Sequence, residues 1–252
     1  MNIVVLTALG VGSASVMGAI IGMIFKKISH KFSDIILSFA AGVMLAAAVL
    51  GLIVPSVELG GKYGLVVTIV GIFCGAVCVN LLDKLVPHLH KVTGIDGEKH
   101  PEKQGQINKT LLFVLAIAIH NLPEGIAAGV GFGTGNTGEA LAIAGGIALQ
   151  NIPEGIVIIA PMLNIGIGKG RALLVAVFTG VVEVIGTFLG YFAVSISSFV
   201  LPFALAFAGG TMLYVVSDEM VIETHAHGSE RAATYSLIVG FCLMLCLDIL
   251  LG

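Results

Sequence analysis

Apolar residues fill long uninterrupted stretches of the chain, and charged or polar residues collect in the short segments between them. A helix needs about 20 apolar residues to cross the hydrocarbon core of a bilayer. Eight runs reach this length, at residues 2–25, 33–54, 63–82, 111–131, 139–160, 171–191, 200–220 and 233–251. The pattern therefore predicts an all-α integral membrane protein with eight transmembrane helices in one membrane domain, residues 1–252.

Composition agrees with a lipid environment. Hydrophobic residues make up 57% of the chain and charged residues 11%, and the mean hydropathy is +1.07. These values exclude an ordinary soluble protein. The first run lacks a basic stretch before it and a small-residue cleavage site after it, so we expect a retained helix. The charged segment 84–109, which contains His88 and His90, is predicted to be a flexible cytoplasmic loop.

The positive charges are distributed unevenly between the two sides of the predicted bundle. If the N-terminus lies outside, eleven of the twelve Lys and Arg residues fall on the inner side, and Lys62 alone falls outside. Under the positive-inside rule, this bias fixes the orientation and supports an even number of helices. We therefore expect a multi-pass protein of the cell (inner) membrane with both termini extracytoplasmic.

A six-residue motif occurs twice. The segment 120–125, His-Asn-Leu-Pro-Glu-Gly, recurs thirty residues later at 150–155 as Gln-Asn-Ile-Pro-Glu-Gly. At about 1.5 Å rise per residue, both copies lie about 15 Å deep, near the middle of the bilayer. Pro123 and Pro153 lack a backbone N–H, so we expect the fourth and fifth helices to kink there and to leave a carbonyl for an ion or water.

Three carboxylates fall in helical interiors, namely Glu124, Glu154 and Glu183. A charge at this depth costs several kcal/mol and must be compensated. No Lys or Arg lies within these helical interiors, so protons, hydrogen bonds or a bound cation remain as compensation. A cation fits best, although a simple proline kink whose polar residues satisfy one another is the alternative.

Helical spacing groups the motif side chains. Glu124 shares a face with His120 and Asn121, and Glu154 shares a face with Gln150 and Asn151. Two antiparallel helices would then offer two adjacent metal positions. Mixed nitrogen and oxygen donors suit zinc, iron, manganese, cobalt or cadmium better than calcium.

Taken together, these motifs resemble the ZIP (Zrt- and Irt-like) family of divalent metal transporters, in particular its bacterial GufA-like branch. Further matches are segment 39–44 in the second helix, segment 180–183 in the sixth and segment 218–225 at the end of the seventh. The resemblance implies an eight-helix ZIP-like bundle, outward termini and a binuclear site formed by the fourth and fifth helices. It also implies transport toward the cytoplasm, helices that slide against a scaffold, and a homodimer.

The resemblance implies a set of metal ligands: His120, Asn121, Glu124, Gln150, Asn151, Glu154 and Glu183, with Met44 as a thioether ligand from the second helix. Many family members have His in place of Gln150, and some have Asp in place of Asn151. These departures change one side of the site and bear on which metal the site prefers.

Other polar residues are candidates for an entrance or an exit. Asp248 and Glu58 fall on the outer side, where they could attract cations. The inner-side candidates are Asp218, Glu219, Glu223 and His225, together with His88 and His90 of the loop. The alternative for all of them is an ordinary solvated loop or interfacial charge.

The sequence thus predicts transport of a divalent transition metal, zinc above all, into the cytoplasm. Zinc is expected as substrate, and neither an organic cofactor nor a nucleic-acid partner is expected. A metalloenzyme is the second class, but the chain has no His-Glu-x-x-His segment. A passive channel is the third, but three converging carboxylates bind too tightly for fast release. Proton coupling is a further hypothesis, because protons and metal compete for the same oxygens.

Overall fold

The structure, a computed structural model, describes residues 2–24, 29–85, 121–164, 167–196 and 199–251, and within these ranges the chain is helical without β-strands. The helices are α1 (Asn2–Ile24), α2 (His30–Ala46), α3 (Gly64–Leu85), α4 (residues 121–130), α5 (Thr137–Asn164), α6 (Lys169–Ile196), α7 (Leu201–Val215) and α8 (Glu230–Leu251). Helix α2 continues through Ala47–Ile53 to Val54–Leu59, and α7 continues through Val216–Met220 to Val221–Thr224.

Seven helical segments in the described part of the chain are long and apolar enough to cross a membrane. They are Asn2–Ile24, His30–Leu59, Gly61–Leu82, Thr137–Ile159, Lys169–Ser195, Leu201–Thr224 and Glu230–Leu251. The fourth predicted run, 111–131, is described only from residue 121, so the count of eight stays a prediction. The predicted loop 84–109 lies outside the described residues from position 86 onward.

Several helices extend beyond the apolar runs that predict them. The second span covers His30–Leu59 rather than 33–54, because Ser29 caps it: its hydroxyl oxygen accepts the backbone N–H of Phe32 at 3.2 Å. Such a cap satisfies one of the donors that a helix start leaves open. Polar residues at a helix end therefore stay helical although hydropathy assigns them to loops.

Two spans contain a wider helical turn that the sequence analysis does not predict. Residues Ala47–Ile53 of the second span and Val216–Met220 of the seventh are π-helical. In the second span the π-helical segment ends just before Pro55, whose missing N–H already interrupts the regular hydrogen-bond ladder. Helix α5, by contrast, is continuous through Pro153, and the predicted kinks remain predictions.

The helices pack in two groups. Helix α1 packs along α5 and α6, whereas α3 packs along α7 and α8 along α2. Contacts between α2 and α5 join the two groups. Helices α3 and α8 keep most of their surface exposed, as expected for helices that face lipid.

Glycines four residues apart lie at several close helix contacts. A Cβ added at Gly75 of α3 would stand 2.2 Å from the carbonyl oxygen of Phe207, and one at Gly18 of α1 would stand 2.2 Å from that of Ile152. A Cβ added at Gly125 or Gly129 of α4 would likewise overlap a backbone carbonyl oxygen of α6. One added at Gly186 or Gly190 of α6 would overlap a carbonyl oxygen of α4. Small residues at this spacing let membrane helices pack tightly.

We predict that Gly75→Ala destabilises the protein by about 1–3 kcal/mol, because the added methyl group overlaps backbone that cannot move aside cheaply. Gly145→Ala is the matched control, since Gly145 lies in a helix with open space around it. There the methyl group should be neutral or slightly stabilising. Reversible unfolding with sodium dodecyl sulfate measures both, and equal stability of the two variants would contradict the packing.

Candidate metal site

Helices α4, α5 and α6 bring three carboxylates into the interior of the bundle. Glu124 and Glu183 have no exposed surface, and Glu154 is 6% exposed. The amide side chains of the two motifs, Asn121, Gln150 and Asn151, are buried with them. An acidic cluster of this kind is costly in an apolar interior unless every charge is compensated.

The carboxylate of Glu183 receives hydrogen bonds from three helices. Its Oε1 accepts from the hydroxyl of Ser15 at 2.7 Å and from the amide nitrogen of Asn121. Its Oε2 accepts from the amide nitrogen of Asn151 at 2.7 Å. The side chain of Glu183 therefore joins α1, α4 and α5 at one point.

Glu124 forms the second polar pair of the site. Its Oε1 accepts a hydrogen bond from the side-chain nitrogen of Gln150 at 2.7 Å. This contact links the carboxylate of the first motif to the first residue of the second motif. The two motifs therefore contact each other across neighbouring helices, as the sequence predicts.

Two amide oxygens at the site are buried without a hydrogen-bond donor among the described residues: Oε1 of Gln150 and Oδ1 of Asn151. Leaving a buried acceptor unsatisfied costs about 1–3 kcal/mol. The nitrogen of each amide donates a hydrogen bond to a carboxylate, so the oxygen of the same amide points away from that carboxylate. Oxygen atoms in this position are suitable ligands for a divalent cation.

The motif glycines allow the helices to approach at the site. A Cβ at Gly125 would stand 2.3 Å from the carbonyl oxygen of Glu183, and one at Gly155 would stand 2.4 Å from that of Ser15. A larger residue at Gly125 would push α4 away from α6, and a larger residue at Gly155 would push α5 away from α1. The glycines therefore set the spacing between the carboxylates.

A small cavity of about 10 Å³ adjoins the carboxylates. This is close to the space that one water molecule requires. Its polar lining comes from Ser15, Asn121, Glu154 and Thr179, and its apolar lining continues to Ala172 near the start of α6. The lining of the cavity thus comes from α1, α4, α5 and α6.

The described residues contain no group of three His, Cys, Asp and Glu side chains that could hold a metal ion. Within the described ranges, amide oxygens are the donors that could complete a metal site beside the carboxylates. His120, the predicted imidazole ligand, lies outside the described residues. Met44 is fully buried in the main apolar core, on the helix that packs against α5.

Helix α1 takes part in the site, which the sequence analysis missed. Besides the Ser15 hydroxyl, it supplies the carbonyl oxygen of Val11, which accepts a hydrogen bond from Asn151 at 3.4 Å. The signal in the sequence is weak, since a serine among small residues is usual in a membrane helix. The position of Ser15 three residues before Gly18 is the feature that could have pointed to a helix contact.

The inner-side candidates form two separate groups. Both ring nitrogens of His225 contact nearby helix atoms: Nδ1 lies 2.9 Å from the carbonyl oxygen of Val221, and Nε2 lies 3.2 Å from the hydroxyl of Thr234. Glu223 lies 4.0 Å from Nε2 of His227. Nδ1 of the same ring is 3.0 Å from Oδ1 of the buried Asp34, a residue that sequence reasoning passed over.

The remaining entrance and exit candidates lie apart from the carboxylate site. Asp218 and Glu58 are exposed, and Glu219 is half-buried in the π-helical segment of the seventh span. Asp248 is half-buried near Glu139, which also accepts a hydrogen bond from Asn136 at 3.0 Å. His88 and His90 lie outside the described residues.

Several apolar spans that surround a buried cluster of carboxylates and amides define a multi-pass membrane protein with a polar cluster in its interior. The family model described as "ZIP Zinc transporter" matches residues 96–248. The chain belongs to the ZIP family, whose members are transporters rather than enzymes.

Three relatives illustrate the similarity. "Zinc transporter GufA" of Myxococcus xanthus is 36% identical over 96% of both chains. "Zinc transporter ZIPB" of Bordetella bronchiseptica is 38% identical over 95% of this chain and 78% of its own. "Zinc transporter ZupT" of Chlorobaculum parvum is 33% identical over 92% of this chain and 91% of its own.

We predict that Gln150→Met lowers the free energy of unfolding by about 1.5–3 kcal/mol, because it removes a hydrogen bond to a buried charge while nearly keeping the side-chain shape. Asn80→Leu is the comparison: the Asn80 amide donates to the hydroxyl of Tyr214 at 2.8 Å, a neutral and partly buried acceptor. It should cost only about 0.5–1.5 kcal/mol. Both are measured with chelator present, so that ion binding does not contribute; an equal or smaller loss for Gln150→Met would refute the pairing.

Proposed function

We propose that this protein carries divalent transition-metal ions, zinc first among them, across the cell membrane into the cytoplasm through a binuclear site halfway through the bilayer. The proposed ligands are Glu124, Gln150 and His120 at one position, and Asn121, Asn151, Glu154 and Glu183 at the other. Glu124 and Glu154, one from each motif, can bridge the two positions. Met44 is a further candidate from α2.

One observation carries the proposal: buried amide oxygens of Gln150 and Asn151 lie beside buried carboxylates and have no donor within the described residues. A hydrogen-bonded network that served only structure would direct donors at these oxygens. A cation supplies what both the carboxylates and the amide oxygens need. The alternative, in which the polar residues merely satisfy one another around a proline, leaves these oxygens unexplained.

The ligand types favour zinc and its neighbours over calcium. Calcium takes six to eight oxygen ligands in a flexible cage, whereas the proposed site is tightly packed and adds an imidazole. Zinc, iron, manganese, cobalt and cadmium accept such mixed donors. The relatives described above are named zinc transporters, which makes zinc the first substrate to test.

The charge distribution supports the proposed direction. Lys and Arg residues collect on the side proposed as cytoplasmic. We propose eight membrane-spanning helices with both termini outside, proline kinks in α4 and α5, and a homodimer. Asp248 and Glu58 would attract ions at the outer side, and Asp218, Glu219 and Glu223 would receive them inside.

We predict that Glu154→Ala reduces zinc uptake into proteoliposomes to the level of protein-free liposomes, because a ligand shared by both metal positions is lost. Glu230→Ala is the control, since Glu230 is exposed in the first turn of α8 and far in sequence from the motifs. Radiolabelled zinc measures uptake, and size-exclusion chromatography checks folding. Wild-type uptake by folded Glu154→Ala would reject the site.

We predict that the initial rate of zinc uptake reaches a plateau as the external zinc concentration rises. A site that binds an ion tightly and releases it once per cycle becomes saturated, whereas an open pore passes ions in proportion to their concentration over a much wider range. The same proteoliposomes provide the measurement. A rate that grows without a plateau would favour a passive channel over a transporter.

A further inference from the structure

Helix α1 contributes a polar side chain to the metal site. Ser15 is 5% exposed, and its hydroxyl donates to Oε1 of Glu183 at 2.7 Å. Two positions earlier, Ser13 is exposed, and its hydroxyl donates to the carbonyl oxygen of Gly10 in its own helix. Two serines on one helix thus have different surroundings, one at the site and one at the surface.

The backbone holds Ser15 in place from two sides. A Cβ at Gly12 would stand 2.4 Å from the carbonyl oxygen of Gly180, so α1 and α6 touch one turn before Ser15. A Cβ at Gly18 would stand 3.0 Å from Cα of Gly155, so α1 and α5 touch one turn after it. Because α1 rests on both helices at these points, the backbone of Ser15 has little freedom to move away from Glu183.

Ser15 shares one carboxylate oxygen with Asn121, which is itself a proposed ligand. When the Asn121 side chain turns toward an ion, its hydrogen bond to Glu183 changes, whereas Ser15 need not move. Ser15 also lines the small cavity together with Glu154 and Thr179. It therefore lies near a second proposed carboxylate ligand as well as beside Glu183.

We propose that Ser15 is a positioning residue of the metal site: its hydroxyl fixes the orientation of the Glu183 carboxylate for ion binding while the amide ligands rearrange. The proposal rests on the proposed function and extends it to a helix outside the two motifs. Groups that orient a metal ligand through a hydrogen bond typically change metal affinity about 10–100-fold when removed.

The test compares zinc binding by four versions of the full chain in detergent: wild type, Ser15→Ala, Ser15→Thr and Ser13→Ala. Equilibrium dialysis with radiolabelled zinc gives the affinity, and proteoliposome uptake gives KM and the maximal rate. We expect Ser15→Ala to weaken zinc affinity at least about 10-fold and to raise KM by a similar factor. Ser15→Thr, which keeps the hydroxyl, and Ser13→Ala should stay close to wild type.

Two outcomes would overturn the proposal: unchanged zinc affinity in Ser15→Ala, whether or not its melting temperature falls, or equal losses of affinity in Ser15→Ala and Ser15→Thr. Glu154→Ala is measured in parallel to separate this inference from the proposed function. If Glu154→Ala loses zinc binding and Ser15→Ala does not, only the role of Ser15 is wrong. If Glu154→Ala binds zinc as wild type does, the metal site itself is wrong.

Discussion

The compensation of buried carboxylates is the constraint on which this structure depends. Glu124, Glu154 and Glu183 lie inside an apolar bundle, where an isolated charge would cost several kcal/mol. Amide and hydroxyl groups of the surrounding helices donate hydrogen bonds to Glu124 and Glu183. Such donors stabilise a carboxylate without neutralising it, and in the proposed function a cation balances the charge that remains. A lysine or arginine in place of these donors would neutralise the carboxylates permanently and leave no charge for a cation.

Close helix packing makes this arrangement available. Gly125 and Gly155, one in each motif, bring α4 against α6 and α5 against α1, and the amides reach the carboxylates because the backbones are close. In lipid there is little hydrophobic drive for helices to associate, so small residues and polar contacts decide which helices touch. The same glycines that serve the fold therefore set the dimensions of the site.

Much of this could be predicted from the sequence, because apolar runs and a repeated polar motif are local signals. The position of the two motifs on neighbouring helices and the close glycine contacts follow from residue spacing. The role of Ser15 could not be predicted, since it depends on which helix packs beside α6. The buried contact of Asp34 with His227 joins residues 193 positions apart, and the π-helical turn at Val216–Met220 has no marker in the sequence that we recognise.

We propose that the carboxylates of both motifs bind one pair of ions inside the membrane. Anomalous diffraction from crystals soaked in a cadmium or zinc salt tests it most directly. We predict strong anomalous peaks within coordination distance of Glu124 and Glu154, about 2.0–2.2 Å for zinc bound to carboxylate oxygen. Anomalous peaks confined to surface histidines, with the two glutamates directed away from each other, would contradict it.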